Sequence, residues 1–370
     1  MALSENSGER GMKMKTIKLI AKNNSFIILS TFLLVISAEI LTGIMWYNLH
    51  STEFETADFY GNILFRIFSL FAGVVSACFY CCLVNNGLSG ILAAITTVFT
   101  TVASVHENGY SYDKCYNICF ILALLSLSFY YVNKCRDSLK HTVYYYALMA
   151  VLAAATADKN EIFMVLTVSI LMFASNRELI GTKQVFLVNG IFMVAAVIVS
   201  ACAVVDRMDA YIGIVYIEGS VIHPERVLLS RKSFGTAMYF NEIADAPSMY
   251  NLTKIFGYYG FVAGTVMCIV IALFVASVFI KCFSNRAWTK CAAFVAVAVI
   301  SIRCFTGFFE NFSIITGSYS GIPILSDGSC GYFGVGILLG ALLVPLEMIT
   351  YSSVNCHPTI KTLVHRINRI

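Results

Sequence analysis

Ionisable side chains set inside apolar runs are the residues of this 370-residue chain that could do chemistry. Glu39, Arg66, Asp158, Arg303 and Glu310 each lie within or at the end of a long hydrophobic stretch. A charge in such a place is expensive, and it marks a functional hypothesis by default. Arg66 and Arg303 offer planar forks that match phosphate oxygens. The carboxylates are candidates for a general base. Blander roles compete with these. Arg66 can snorkel to the headgroups or pair with Glu39 on the neighbouring span, and Asp158 can cap the helix that follows it. With the N-terminus in the cytoplasm, these residues all fall toward the outer membrane face, and Glu347 alone lies near the inner one. Cations beside carboxylates at one face suit a lipid that carries a phosphate headgroup and a transferable group.

The element that must position them runs from Gly307 to Gly340, GFFENFSIITGSYSGIPILSDGSCGYFGVGILLG. Two apolar helices flank a connection, 316–331, that holds Gly317, Gly321, Gly328 and Gly331 with a single Pro. The connection is too polar for lipid. Through Ile322, Ile324 and Leu325 it is too apolar for an ordinary solvated loop. Irregular backbone of that kind is tolerated at membrane depth where it is buried in protein or lines a cavity. A plain turn between helices is the simpler reading.

Composition sets the class. The chain is 58% hydrophobic and 12% charged, about half the charge of a soluble domain. With long apolar runs, this predicts an all-α polytopic membrane protein of about ten spans. They fall at 25–47, 61–84, 88–105, 116–132, 142–157, 162–175, 185–205, 252–280, 287–310 and 331–352. The fifth and sixth are short and could form one broken hairpin. Residues 1–24 read as a mobile basic cytoplasmic tail, 25–352 as the transmembrane domain and 353–370 as a second cytoplasmic tail. With the N-terminus inside, the inner segments hold 16 of the 25 Lys and Arg and the outer segments 7. That asymmetry is the positive-inside signal, and it places both termini in the cytoplasm.

The one long hydrophilic stretch, 206–251, is then extracytoplasmic. Its spaced apolar residues predict that it folds back onto the bundle rather than hanging free. The six His show no metal-ligand spacing, and no P-loop, dinucleotide fingerprint or G-x-S-x-G elbow occurs. Nucleic acid is excluded as a partner. No cofactor is implied, although a divalent cation is compatible with the reading. Cys78 and Cys81 read as small apolar residues of a buried helix. Cys115 and Cys330 fall near the outer face, where a disulfide between them can be considered.

The residues resemble a family, the SEDS proteins of the FtsW, RodA and SpoVE type. The run from Asn311 through Thr316 and Gly317 resembles the family's N-x-G-x-x-T-G. Gly321-Ile-Pro323-Ile-Leu resembles G-(I/L)-P-L-P, and Ser326-Asp327-Gly328-Ser329-Cys330 resembles S-Y-G-G-S-S. Asp158 resembles the Asp of Q-P-D-L-G, Arg66 a basic residue that opens the second span, and Gly257 to Gly264 the E-E-L-G-x-x-G segment. The resemblance implies a ten-span bacterial plasma-membrane protein of cell division, cell shape or sporulation. It implies polymerisation of lipid II into peptidoglycan and a class B penicillin-binding protein as partner. It also implies a substrate site made of Arg66, Asp158, Asn311, Thr316, Ser326 and Ser329, to which the charge pattern adds Arg303.

The departures are as informative. The family's proposed catalytic Asp, in H-T-D-F, falls on Met249 when counted back from Gly260, and its paired Glu positions fall on Gly257 and Tyr258. A Met side chain takes no proton from a sugar hydroxyl. The nearby acids Asp245 and Glu242 are the candidate catalytic replacements. The family's outer S-E-x-x-K has no clear Lys counterpart in NGYSYDKCYN. Three readings follow: a glycosyltransferase, a non-enzymatic scaffold or binding module for cell-wall machinery, and another lipid-linked polymerase or flippase.

Overall fold

The computed structural model describes residues 5–50, 56–84, 88–106, 115–135, 138–155, 159–176, 180, 183–205, 215–217, 220–222, 224–230, 232–244, 250–284, 287–312, 321–326 and 329–343. Long helices dominate. They are α1 (Glu5–His50), α2 (Thr56–Leu83), α3 (Ser89–His106), α4 (Cys115–Lys134), α5 (Leu139–Ala155), α6 (Lys159–Asn176) and α7 (Lys183–Val205). A short hairpin follows, β1 (Val215–Ile217) antiparallel to β2 (Ser220–Ile222) with Tyr216 opposite Val221. Then come α8 (Pro224–Leu229), α9 (Asn251–Tyr259), α10 (Phe261–Ser284), α11 (Ala287–Asn311) and α12 (Ser329–Leu343). By length and composition, 5 of the described helices can cross a membrane: Asn24–Leu49, Asn62–Cys81, Tyr116–Lys134, Phe261–Phe283 and Cys291–Asn311. Shorter apolar helices accompany them at Ser89–Ser104, Asn160–Asn176, Lys183–Ala195 and Cys330–Leu343.

Helices stand at the positions of the expected spans, as α1 to α7 and α10 to α12, and the fold is that of an all-α polytopic membrane protein. Helix α1 begins at Glu5, within the basic segment, and continues unbroken into the apolar run. Two expectations are corrected. The eighth span is not one helix over 252–280. It breaks at Gly260, whose φ of 96° lies in the left-handed region that glycine alone enters cheaply. Cys330 is not disulfide-bonded, so the Cys115–Cys330 bridge is absent. The fifth and sixth spans are two separate helices.

Many hydroxyls inside the helices find their partner on the preceding turn, as a hydrocarbon environment favours. Thr31, Thr42, Ser69, Thr96, Thr100, Ser169 and Thr306 each donate to the carbonyl four residues earlier. The outward face of α2 carries exposed Leu64, Phe65, Phe68, Phe71, Val75 and Phe79, a lipid-facing surface rather than a misplaced core.

The closest helix crossing is built from small residues. A Cβ on Gly73 of α2 would stand 2.2 Å from the Phe333 carbonyl oxygen of α12, and one on Gly336 would stand 2.2 Å from the Leu70 oxygen. Gly340 meets Val74 and Ala77 one turn further along. In lipid, helices associate by such close backbone packing rather than by the hydrophobic effect. The crossing runs parallel, and it brings Arg66 of α2 and Tyr332 of α12 to the same level.

Candidate functional site

The break at Gly260 is covered by the long loop. Splitting a helix in a membrane frees backbone donors and acceptors that must find partners. Here residues 232–237 supply them as a strap. At the start of α10, the Phe261 and Val262 N–H groups donate to the Lys232 and Ser233 oxygens at 2.8 and 3.3 Å. At the end of α9, the Gly257 and Tyr259 oxygens accept from the Ala237 and Gly235 N–H groups at 2.6 and 3.1 Å. The strap passes so near that a Cβ on Gly260 would lie 2.8 Å from the Phe234 Cα. A small core of its own seats it, made of Met45 from α1, Val227 from α8, and Ala237, Phe240, Ile243 and Tyr250. The described part of the loop from Val227 to Ile243 thus folds back onto the bundle.

α9 is held just as firmly from below. The Asn311 Oδ1 at the end of α11 accepts from the Thr253 N–H at 3.0 Å and from its hydroxyl at 3.1 Å. The same hydroxyl reaches the Asn311 carbonyl at 2.6 Å. The Asn311 amide nitrogen donates back to Gly307 at 2.7 Å, so the side chain has no remaining freedom. Two residues before Thr253, Asn251 donates to the Leu325 carbonyl at 2.8 Å. That bond ties α9 to the turn Gly321–Ser326, which is buried throughout and closed by Ser326 N–H to the Ile322 oxygen at 2.9 Å. Ile324 adopts φ 72° within it. A β-branched residue in that region is strained and persists only where its surroundings over-determine it. The described part of the Gly-rich connection is therefore a packed, strained turn buried in protein.

The charged residues are sorted by depth. Glu39 is buried between α1, α2 and α12. The Tyr332 hydroxyl donates to its Oε1 at 2.5 Å, and an Arg66 Nη1 stands 3.6 Å from its Oε2. The Arg66 side chain keeps 38% of its surface exposed, so one edge of the guanidinium faces the carboxylate while part of the fork stays accessible. Arg303 and Glu310 of α11, Lys254 of α9 and Glu161 of α6 are all buried. The Tyr116 hydroxyl of α4 donates to the Glu161 carboxylate. Buried charges persist where they are paired or hydrogen-bonded, and each of these residues is engaged with a neighbour. Among the described residues, no group of three or more His, Cys, Asp or Glu side chains is placed to hold a metal ion.

The sequence-derived candidates separate accordingly. Arg66 meets Glu39. Asn311 meets α9, and Ser326 lies in the buried turn that α9 grips. Arg303 is buried on α11, the helix that Asn311 ends. Ser329 opens α12, and Glu242 ends the short 3-10 turn Phe240–Glu242 of the strap. Asp158, Asp245, Met249 and Thr316 lie outside the described residues. Sequence reasoning missed Thr253, Tyr332 and Lys254. Lys254 could have been found, since a Lys among Leu252, Ile255 and Phe256 is as costly in an apolar run as Arg66 is. Thr253 and Tyr332 carry no such signal, because their roles arise only from packing.

No family model matches the sequence, and no curated protein does. Among solved structures, the chain superposes with a TM-score of 0.50 and 15% identity on a chain of a peptidoglycan synthase complex in which polymerization and crosslinking are structurally coordinated. The match covers 84% of this chain and 96% of that one. The rod shape determining protein RodA of Thermus thermophilus and a mutant of it each align at 12% identity with a TM-score of 0.48. Those alignments cover 84% of this chain and 94% and 95% of theirs. The chain is an all-α multi-pass membrane protein whose fold is like that of the peptidoglycan synthase chain. At these identities the likeness is one of fold.

Proposed function

We propose that this chain is a peptidoglycan-synthesis protein of the SEDS type in a bacterial plasma membrane. It engages a lipid-linked disaccharide of the lipid II class at the outer face, beside a class B penicillin-binding protein. The observation that carries the reading is the likeness in fold to a chain of the peptidoglycan synthase complex over 84% of this chain. The motif resemblance along 311–330 agrees with it, being strongest where α11, the buried turn and α12 meet.

The site would use Arg66 and Arg303 toward the diphosphate, with Asp158, Asn311, Thr316, Ser326 and Ser329 around it. The chemistry is reduced. Met249 stands where the resemblance expects a base, so the chain binds substrate and partner more readily than it polymerises. Asp245 and Glu242 are the acids left to replace the base. A scaffold role within the same machinery is the second reading, and the Met249 substitution favours it.

The test uses the purified full chain in lipid nanodiscs. Binding of lipid II, and glycan-strand formation from it, are measured with and without a class B penicillin-binding protein. Saturable binding with little polymer is the expected result. Absence of binding to lipid II under both conditions overturns the proposal. Vigorous polymerisation retains the family assignment and removes the scaffold reading.

A further inference from the structure

We infer that the strap over the α9–α10 break is a membrane-interface anchor, with Phe234 and Met238 seated in the lipid headgroup and upper acyl region. The inference stands on the strap's geometry and does not depend on the proposed function. It starts from depth. The apolar span of α10 is 23 residues, Phe261–Phe283, or roughly 34 Å of helix at about 1.5 Å per residue. The hydrocarbon it crosses is roughly 30 Å thick. The first turn of α10 therefore lies at the boundary between acyl chains and headgroups. The strap is bonded to that turn, since Lys232 and Ser233 accept from the N–H groups of Phe261 and Val262. Residues 232–234 consequently share its depth.

The second observation is exposure at that depth. Phe234 is 73% exposed and Met238 79% exposed, with Leu229 at the end of α8 more exposed still. Their neighbours Ala237, Phe240 and Ile243 point inward into the strap's own core, so the strap is two-sided. Phe234 is also continuous with a lipid-facing stripe. Phe261, Val262, Val266, Ile269 and Leu273 form an exposed apolar face along α10 that no described helix covers. An apolar side chain left open at the interface, next to a lipid face, fits a bilayer better than water. Lys232 and Arg226 are exposed on the same segment. Long basic side chains at that level reach anionic headgroups. The ligand is therefore the membrane surface itself.

The experiment places a tryptophan on the strap and reads its depth. The native Trp46 and Trp288 are replaced by Phe, and Phe234→Trp is introduced into the full chain. The protein is reconstituted in nanodiscs of phosphatidylcholine and phosphatidylglycerol brominated either near the headgroup or near the chain end. Emission from the Phe234→Trp variant is expected to fall roughly twofold with the shallow label and less with the deep one. A Val266→Trp control on the lipid face of α10 should be quenched by both labels. Emission from Phe234→Trp that neither label quenches, while the control is quenched, overturns the anchor and leaves the strap facing water or a protein partner. Met238→Trp is read by the same criterion if the Phe234 variant fails to fold.

Discussion

Thr253 and Asn311 are joined through both backbone and side chain, and neither group of the pair is exposed to solvent. The pairing fixes α9 against α11 at the point where α11 ends. Asn311→Ala removes the acceptor of the Thr253 N–H and leaves a buried donor without its partner. A loss of about 1–3 kcal/mol is expected, read as a lower midpoint of thermal unfolding in detergent. Thr253→Ser keeps every bond and should stay near the parent, whereas Thr253→Val should fall with Asn311→Ala. An unchanged midpoint for Asn311→Ala would mean that the strap alone holds α9.

Glu39 has two partners of different kinds, the hydrogen-bonding Tyr332 hydroxyl and the ion-paired Arg66. Removing Arg66 leaves a buried carboxylate with one neutral donor, and removing Tyr332 leaves the ion pair. Arg66→Gln should cost about 1–3 kcal/mol, reduced from the figure for fully buried pairs because Arg66 is partly exposed. Glu39→Gln with Arg66→Gln should recover part of that loss, giving a measurable coupling in a double-mutant cycle. A role toward diphosphate is read separately. Arg66→Gln and Arg303→Gln should each weaken lipid II binding by about 1.5–3 kcal/mol, roughly tenfold to a hundredfold, in variants that still fold. Binding unchanged in both would leave these residues as structural.

The glycines of the α2–α12 crossing allow an internal contrast. A methyl on Gly73 or Gly336 would meet backbone atoms at 2.2 Å, and backbone cannot swing aside as a side chain can. Gly190 on α7 has nothing within 4 Å of its missing Cβ. Gly73→Ala and Gly336→Ala should lower folded yield sharply. Gly190→Ala should be neutral or stabilising by up to about 1 kcal/mol through helix propensity. Equal tolerance at all these positions would show that the two helices are further apart.

Much of this architecture was legible in the sequence because membrane spans announce themselves by composition. The pairing of Glu39 with Arg66 was legible for a related reason, since a charge in an apolar run stands out and its simplest partner is on the next span. The break at Gly260 was not. GYYGFVAG is apolar enough to continue a helix, and the left-handed turn forms because the strap supplies the missing hydrogen bonds from residues distant in the chain. The Thr253–Asn311 lock was hidden likewise, because Thr is common in helices and its partner lies on a different one. The buried turn at Gly321–Ser326 was recognised as unusual for either lipid or water, but its Asn251 anchor depends on the fold.

Topology follows from charge and is testable on the described hairpin. Ser220 opens β2, within the segment that the positive-inside asymmetry places outside the cell. A Ser220→Cys variant should react with a membrane-impermeant maleimide in intact cells, above the background of the parent chain. Labelling that appears only after permeabilisation would put the strap in the cytoplasm and remove the outer-face site.

The last expectation concerns chemistry. A general base must reach the proton it removes and must titrate near the working pH. Met249, at the position the resemblance assigns to the base, can do neither. Polymerisation of lipid II by this chain is therefore expected to be weak or absent, measured as glycan length on gels with a class B penicillin-binding protein present. If polymer forms, it should depend on Asp245 more than on Glu242. Asp245 is nearer in sequence to Asn251, where α9 begins and grips the buried turn. Glu242 ends a 3-10 turn that begins at the buried Phe240, and this fixes its backbone at the edge of the strap's core. Asp245→Asn should then abolish product while Glu242→Gln leaves most of it. Robust product that survives Asp245→Asn and Glu242→Gln together would remove both acids, and Asp158 would become the residue to change next. Restoring an acid by Met249→Asp need not revive an inactive chain. The positions of the family's paired Glu are held by Gly257 and Tyr258, and a Cβ on Gly257 would meet Val227 at 2.7 Å and Phe240 at 2.9 Å in the strap's core. The strap occupies the space that a Glu there would need.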